Sequence, residues 1–167
     1  DWTYVAAQFY LIQLNKDIAE RREIPTEGKY AEFVQQMVER GLYNPKLIEK
    51  YSMEELHEIG QLINYDHDKV FTYLGIITLS KRYITLDHDK NPLETPQERW
   101  LTIALHLMQD EDPKRRIELI GEAYWAMSNL FMTVATPTLS NAGKTHGQLS
   151  SCFIDTVDDD LRAIYDS

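Results

Sequence analysis

The residues best suited to chemistry lie near the C-terminal end of the sequence, where Ser150, Ser151 and Cys152 are consecutive. They follow residues 136–143, whose Pro, Gly, Ser, Thr and Asn content is typical of a loop. Hydroxyl and backbone N–H groups in such a loop suit anionic oxygens or sugar hydroxyls. A thiol can act as a nucleophile, a hydrogen donor or one half of a redox pair. Free cysteines are also among the most buried residues, so a small buried side chain is the alternative interpretation.

Three other groups of residues favour structural roles. The Asp-His-Asp triplets at 66–68 and 87–89 contain metal-ligand types, but adjacent side chains point apart, so a polar turn and a hairpin loop are the favoured interpretations, and no metal site is expected. The mixed charges at 110–116 indicate a solvated loop between helices. The third group shares helical spacing and aromatic rings, which predicts core packing: Tyr4, Phe9, Tyr10, Trp100, Tyr124, Trp125 and Phe131.

Composition excludes several classes of protein. The 167 residues include 27 Asp and Glu against 17 Lys and Arg, giving a net charge of −10, which argues against a general nucleic-acid binder. A single cysteine excludes an internal disulfide framework, and no Cys/His spacing predicts a zinc site. The sequence shows neither an apolar run of about 18 residues nor a secretory signal pattern. We expect a globular, cytoplasmic protein without membrane or nucleic-acid partners.

Apolar periodicity predicts a mainly α fold. Helices are expected over 2–18, 30–40, 53–63, 70–81, 96–108 and 113–134. Val5, Phe9, Ile12 and Leu14 should form the buried face of the first helix, and the uniformly apolar segment 70–81 should be central.

Local signals set several boundaries of these elements. Ser52 and Thr95 are predicted N-caps, and Gly41 is a predicted stop. Residues 83–92 predict a small β-hairpin.

The composition changes after residue 135, which divides the chain into a helical domain, 1–135, and a second region, 136–167. In the second region a substrate loop should lead into a strand over 149–157, and the acidic run before Leu161 should cap another helix. The strand has no evident partner in the sequence. We therefore expect 136–167 to be an incomplete part of a larger protein, either one polypeptide or one half of a split pair.

The segments 135–143 (Ala-Thr-Pro-Thr-Leu-Ser-Asn-Ala-Gly) and 148–154 (Gln-Leu-Ser-Ser-Cys-Phe-Ile) resemble the large (α) subunit of class I ribonucleotide reductase. Residues 65–73, 81–83 and 95–98 are similar to the N-terminal helical domain of that family. The order and spacing of these segments hold over essentially the whole chain. The resemblance implies a helical domain that precedes a ten-stranded α/β barrel, with Ser-Ser-Cys on the first strand of the barrel.

The resemblance also implies an activity and a set of site residues. Enzymes of this family reduce ribonucleoside diphosphates to 2′-deoxyribonucleoside diphosphates by thiyl-radical chemistry. Cys152 matches a catalytic cysteine that supplies reducing equivalents with a partner on a later strand, forming a disulfide in each turnover. Thr136, Ser151 and Cys152 match substrate-binding positions.

The matching effector site would bind a deoxynucleotide and set the choice of substrate. Its residues in this sequence are Asp159, Asp160 and Leu161.

The implied cofactors and partners lie largely outside this chain. No cofactor is expected in these residues; the resemblance implies a metal-radical cofactor in a small subunit and nucleotide effectors with Mg²⁺. Partners would be the remainder of the large subunit, the small radical-generating subunit, and thioredoxin or glutaredoxin. Because the other family cysteines and the catalytic acid would lie on later strands, we expect this chain to be inactive alone. The alternative function is a non-catalytic helical interaction module.

Overall fold

The computed structural model describes residues 1–154, in which helices make up nearly all regular structure. The helices are α1 (Trp2–Arg22), α2 (Tyr30–Glu39), α3 (Lys46–Lys50), α4 (Met53–Gly60), a 3-10 helix (Tyr65–Val70), α5 (Tyr73–Arg82), α6 (Pro96–Leu107), α7 (Pro113–Ser128) and α8 (Thr136–Asn141). Within the described residues, β pairing consists of isolated bridges. The mainly α fold class is confirmed. None of the described helices combines the length and apolar composition needed to cross a bilayer.

Helix starts follow the local sequence signals. Ser52 Oγ accepts a hydrogen bond from Glu55 N at 3.1 Å, and the Glu55 carboxylate accepts one from Ser52 N at 2.8 Å. Thr95 and Glu98 make the same reciprocal pair at the start of α6, at 3.2 and 2.7 Å. Each capping box satisfies two backbone N–H groups that have no partner inside the helix. The predicted N-caps are confirmed.

The predicted hairpin is confirmed as a pairing but is shorter than expected. Leu86 and Pro92 form one antiparallel bridge, and Leu93 N donates to Thr85 O at 3.0 Å. The final predicted helix is also shorter, since α7 ends at Ser128.

The central helix is α6, not the predicted segment 70–81. Every residue of α6 from Pro96 to Leu105 is buried. By contrast, α5 buries Ile76, Leu79 and Ser80, while Leu74 is 74% exposed. An all-apolar composition does not by itself fix burial, because the position of a helix depends on how many neighbours cover it.

The buried face of α1 also differs from the prediction. Ala7, Leu11, Leu14 and Ile18 are buried, at spacings of four and three residues. Of the predicted face, Leu14 is buried, but Phe9 is 71% exposed and Ile12 and Val5 are also exposed. Two apolar stripes therefore run along this helix. Helix α5 and the 3-10 helix pack against α1, and the buried stripe is that of Ala7, Leu11, Leu14 and Ile18.

The burial of several charged and aromatic residues differs from the prediction. Arg116, from the segment expected to be solvated, is buried and lies 2.7 Å from Glu55 Oε1. Phe9, Trp125 and Phe131, expected in the core, are each more than half exposed. A long charged side chain can be buried when a partner from another helix meets it, and helical spacing does not reveal that partner.

A buried ion pair joins α1 to α6. Arg22 Nη1 and Nη2 lie 2.9 Å from Glu98 Oε1 and Oε2, respectively, and both side chains are essentially inaccessible to water. Arg22 also donates to the backbone oxygens of Ile24, Pro25 and Leu93, at 3.0 to 3.1 Å. The guanidinium therefore has the complete set of partners that a buried charge requires.

A second buried pair lies one residue further along α6. Arg99 Nη1 is 3.2 Å from Glu94 Oε1, which also accepts from Thr85 N at 2.7 Å. Tyr43 Oη donates to the other oxygen of Glu94, and Arg99 Nη2 donates to the carbonyl of Ala142. This network links the hairpin and α6 to the segment that follows α8.

The first Asp-His-Asp triplet is structural, but it is not a surface turn. Asp68 is 4% exposed and accepts a hydrogen bond from Gln97 Nε2 at 2.6 Å. Burial raises the pKa of Asp68 to about 6, and the Gln97 hydrogen bond opposes this shift. His67 Nδ1 lies 2.7 Å from Ser128 Oγ. The second triplet, 87–89, lies in the hairpin turn as predicted.

We predict that Glu98→Gln lowers the free energy of unfolding by about 3–5 kcal/mol, because it leaves the buried Arg22 charge uncompensated. Urea unfolding measures this change. The matched control is Glu20→Gln, whose exposed pair with Lys16 spans 3.9 Å; it should cost less than about 1 kcal/mol. Equal losses in the two variants would contradict the assigned role of the buried pair.

We also predict that Asp68→Asn becomes relatively more stable as the pH rises from about 4 to 7.5. The carboxyl has a pKa of about 6 in the folded chain against 3.8 ordinarily, so the folded state keeps a proton that the unfolded state releases. Stability is therefore lost as the pH rises through this range, by up to about 3 kcal/mol. Asparagine can accept the same Gln97 hydrogen bond without ionising.

Urea unfolding at the two pH values measures this difference between wild type and variant. The control is Asp66→Asn in the same triplet, which pairs with Lys69 at the surface at 2.5 Å and should show no such gain. An Asp68→Asn effect that is identical at both pH values would contradict the prediction.

Candidate active site

The predicted site residues Thr136, Ser151 and Cys152 lie in the segment that follows α7. The sequence predicts a loop over 136–143, but residues Thr136–Asn141 form the short helix α8. The loop prediction is wrong here because Pro137 falls in the first turn of the helix. Backbone N–H groups in that turn have no acceptor inside the helix, so a proline, which lacks the N–H, costs the helix no hydrogen bond there. Leu139 packs against the core and holds the helix in place.

Helix α8 fixes the chain that approaches Cys152. Asn141 Nδ2 donates to Gln148 O at 2.9 Å, and Thr138 Oγ1 donates to Leu149 O at 3.4 Å. Leu149 is itself partly buried against the core. Side chains of α8 therefore position the backbone up to three residues before the thiol. Residue types alone gave no signal for these two anchors.

The turn between α8 and this segment is fastened to the helical domain. Asn44 N donates to Gly143 O at 2.8 Å, and Thr145 N donates to Leu42 O at 3.2 Å. Gly143 has a φ of 77°, and a Cβ atom there would lie 2.6 Å from Thr102 Cγ2. Only glycine meets both the backbone conformation and the close approach to α6. The sequence signal available for this turn was Gly143 itself, which follows Ala142 in a polar segment.

The thiol of Cys152 is exposed. Ser151 Oγ donates to Cys152 Sγ at 3.7 Å, and Ser150 Oγ donates to the carbonyl oxygen of Cys152 at 3.0 Å. The structure thus brings the Ser151 hydroxyl to the thiol and leaves both open to a ligand.

The predicted strand over 149–157 is not formed in its described part, 149–154. A strand is stabilised by a neighbour that pairs with its N–H and C=O groups, and no such neighbour is present among residues 1–154. The remainder of that prediction, 155–157, lies outside the described residues.

The other predicted site residues are not brought together with the thiol. Thr136 is exposed at the start of α8, and no hydrogen bond within residues 1–154 joins it to Ser151 or Cys152. The predicted effector-site residues Asp159, Asp160 and Leu161 lie outside the described part of the chain. Up to residue 154, no three or more His, Cys, Asp or Glu side chains converge as a metal ion would require.

Comparison with known proteins gives consistent matches. The family model for the ribonucleotide reductase all-alpha domain matches residues 69–147. The chain is 38% identical over 166 residues to the ribonucleoside-diphosphate reductase subunit alpha of Treponema pallidum. It is 37% identical over 165 residues to that of Synechocystis, and 34% identical over 167 residues to that of Helicobacter pylori.

These matches cover 99% to 100% of this chain and 20% of each relative, so the chain spans about a fifth of their length. The residues that first indicated the resemblance fall within the matched region, and the observed fold is helical as the family model requires. The chain therefore belongs to the ribonucleotide reductase family, as a part of the large (alpha) subunit that carries the all-alpha domain.

Proposed function

We propose that this chain serves a ribonucleoside-diphosphate reductase by holding Cys152 as one of the two reducing thiols. One observation carries the proposal: the thiol is exposed beside the Ser151 hydroxyl, at the end of a segment that α8 fixes. Alpha subunits match the chain along 99% of its length, including this segment. The helical domain, 1–135, is then the support for the reactive region, 136–167.

The proposed reaction requires two sulfur atoms. Replacing the 2′-hydroxyl of a ribonucleoside diphosphate by hydrogen releases water and consumes two electrons and two protons. Two thiols supply them and become a disulfide, which thioredoxin or glutaredoxin then reduces. The chain has one cysteine, so the second thiol must come from outside these 167 residues. The remainder of the alpha subunit is the proposed source.

The hydroxyl groups near the thiol are proposed to bind the substrate. Ser151 and Thr136 are both exposed, and a hydroxyl can donate to a sugar or phosphate oxygen.

Asp159, Asp160 and Leu161 are proposed to bind the effector deoxynucleotide, accompanied by Mg²⁺. A carboxylate there would accept a hydrogen bond from a sugar hydroxyl, as acidic residues do in dinucleotide-binding folds. The metal-radical cofactor is proposed to belong to the small subunit, and the assembled enzyme to act in the cytoplasm.

The alternative, a non-catalytic helical interaction module, accounts for the helices but not for Cys152. An interaction module gains nothing from an exposed thiol with a hydroxyl donor beside it. It would also not require a glycine-dependent turn that fixes the approach to that thiol.

We predict that Cys152→Ser lowers ribonucleoside diphosphate reduction by more than about a hundredfold, because serine cannot supply an electron to form a disulfide. The assay supplies the chain with the rest of an alpha subunit, the small subunit, and thioredoxin or dithiothreitol. Since Cys152 is exposed, the substitution should change the free energy of unfolding by less than about 0.5 kcal/mol. Equal activity of wild type and variant would contradict the redox role.

A second readout follows the thiol directly. After one turnover without external reductant, Cys152 should resist alkylation by iodoacetamide, and dithiothreitol should restore its labelling. Labelling that is unchanged by turnover would indicate that Cys152 is not oxidised, even if the activity of the variant is low.

A further inference from the structure

A cleft at the end of α5 brings together three basic side chains. Arg82, Lys144 and His146 line it with the hydroxyl residues Thr85 and Thr145. The cleft has a volume of about 330 Å³, which is in the range of small-molecule binding sites. Its walls come from the end of α5, the hairpin, and the turn after α8, so the basic groups converge from separate parts of the sequence.

No ion pair neutralises these basic side chains in the described part of the chain. None of Arg82, Lys144 and His146 forms an ion pair among residues 1–154. The chain as a whole has a net charge of −10, so carboxylates are abundant. A concentration of unpaired positive charge on an acidic protein indicates a place where an external anion completes the pairing.

Lys144 is the most constrained of the three. Its Nζ donates to Tyr83 O at 3.1 Å. Glu94 lies near enough to interact with it, but the Glu94 carboxylate is already bound by Arg99 at 3.2 Å. Burial lowers the pKa of Lys144 to about 8; Glu94 opposes this shift and Arg99 adds to it. The ammonium group is therefore incompletely compensated and would be stabilised by an anion.

The backbone around Lys144 is held before any ligand arrives. Lys144 N donates to Asn141 O at 2.9 Å, and the residue forms an antiparallel bridge with Tyr43. Thr145 Oγ1 donates to Gly41 O at 2.7 Å. A site whose backbone is already ordered loses less conformational entropy when it binds.

We propose that this cleft binds a phosphate group, with the Arg82 guanidinium and the Lys144 ammonium as its principal partners. The planar guanidinium can contact two phosphate oxygens at once, and the ammonium acts as a point charge on a third. His146 adds a ring N–H donor at the rim. Inorganic phosphate, a diphosphate and a nucleotide share this chemistry, and the probes below distinguish them.

The test titrates the 167-residue chain with pyrophosphate, inorganic phosphate and ADP at constant ionic strength, by isothermal calorimetry. We expect saturable one-to-one binding, weakened about tenfold by Arg82→Gln and by Lys144→Gln. ADP binding tighter than pyrophosphate would identify a nucleotide site, and equal affinities would identify recognition of the phosphate alone. Absence of saturable binding by all three probes would overturn the proposal.

The matched control is Lys81→Gln, which removes the same charge from an exposed residue that does not line the cleft. It should change affinity by less than about twofold. If Lys81→Gln weakened the affinity as much as Arg82→Gln does, the anion would be responding to the overall charge of the protein and not to the cleft. That result would overturn the proposal. Arg82 has no side-chain hydrogen bond within residues 1–154, so its substitution tests the site even if Lys144→Gln fails to fold.

The pH dependence gives an independent test of Lys144. The charged and titratable groups that face it are Glu94, Arg99, Arg82 and His146. A bound anion favours the protonated amine, so affinity should fall about tenfold as the pH rises from about 7.5 to 9.5. Lys144→Arg should keep the affinity at the lower pH and remove this fall. The same decline in both proteins would exclude Lys144 from the site.

Discussion

The structure depends on one constraint: the charged side chains at the start of α6 are fully buried, so each needs an oppositely charged partner from within the chain. Glu98 and Arg99 are adjacent on the central helix, and each is paired with a residue from a different segment, Arg22 and Glu94. An unpaired charge in this position would cost several kcal/mol, which is a large part of the stability of a domain. The surrounding elements are therefore held where Arg22 and Glu94 can pair with these two charges.

The same constraint extends to the region proposed to act on substrate. Arg99 donates to the carbonyl of Ala142, and the next residue, Gly143, approaches α6 so closely that a side chain would collide with Thr102. Helix α6 therefore positions the turn after α8, and α8 in turn positions the backbone before Cys152. In this way the helical domain holds the backbone that leads to the side chain proposed to react.

Sequence reasoning succeeded where the determining interactions are local and failed where they are distant. Ser52 and Thr95 were predictable because a capping box lies within four consecutive residues. The burial of Asp68 and Arg116 was not, because their partners lie 29 and 61 residues away. Similarly, α1 carries two apolar stripes, and only its tertiary neighbours select the one that is buried. At the site, adjacency in sequence paired Ser151 with Cys152, whereas no local pattern indicates the anchors on α8.

The hydrogen bond from Thr138 to Leu149 limits how far the Cys152 thiol can lie from the helical domain. Leu149 is the last residue before Cys152 that contacts both α8 and the core. Three residues of extended chain reach about 10 Å, so the sulfur is confined to a small volume around a fixed point on the helical domain. A partner sulfur must come within about 2 Å of it to form a disulfide. The second thiol proposed to form a disulfide with Cys152 must therefore be delivered to the helical domain, because the tether is too short for Cys152 to reach far from it.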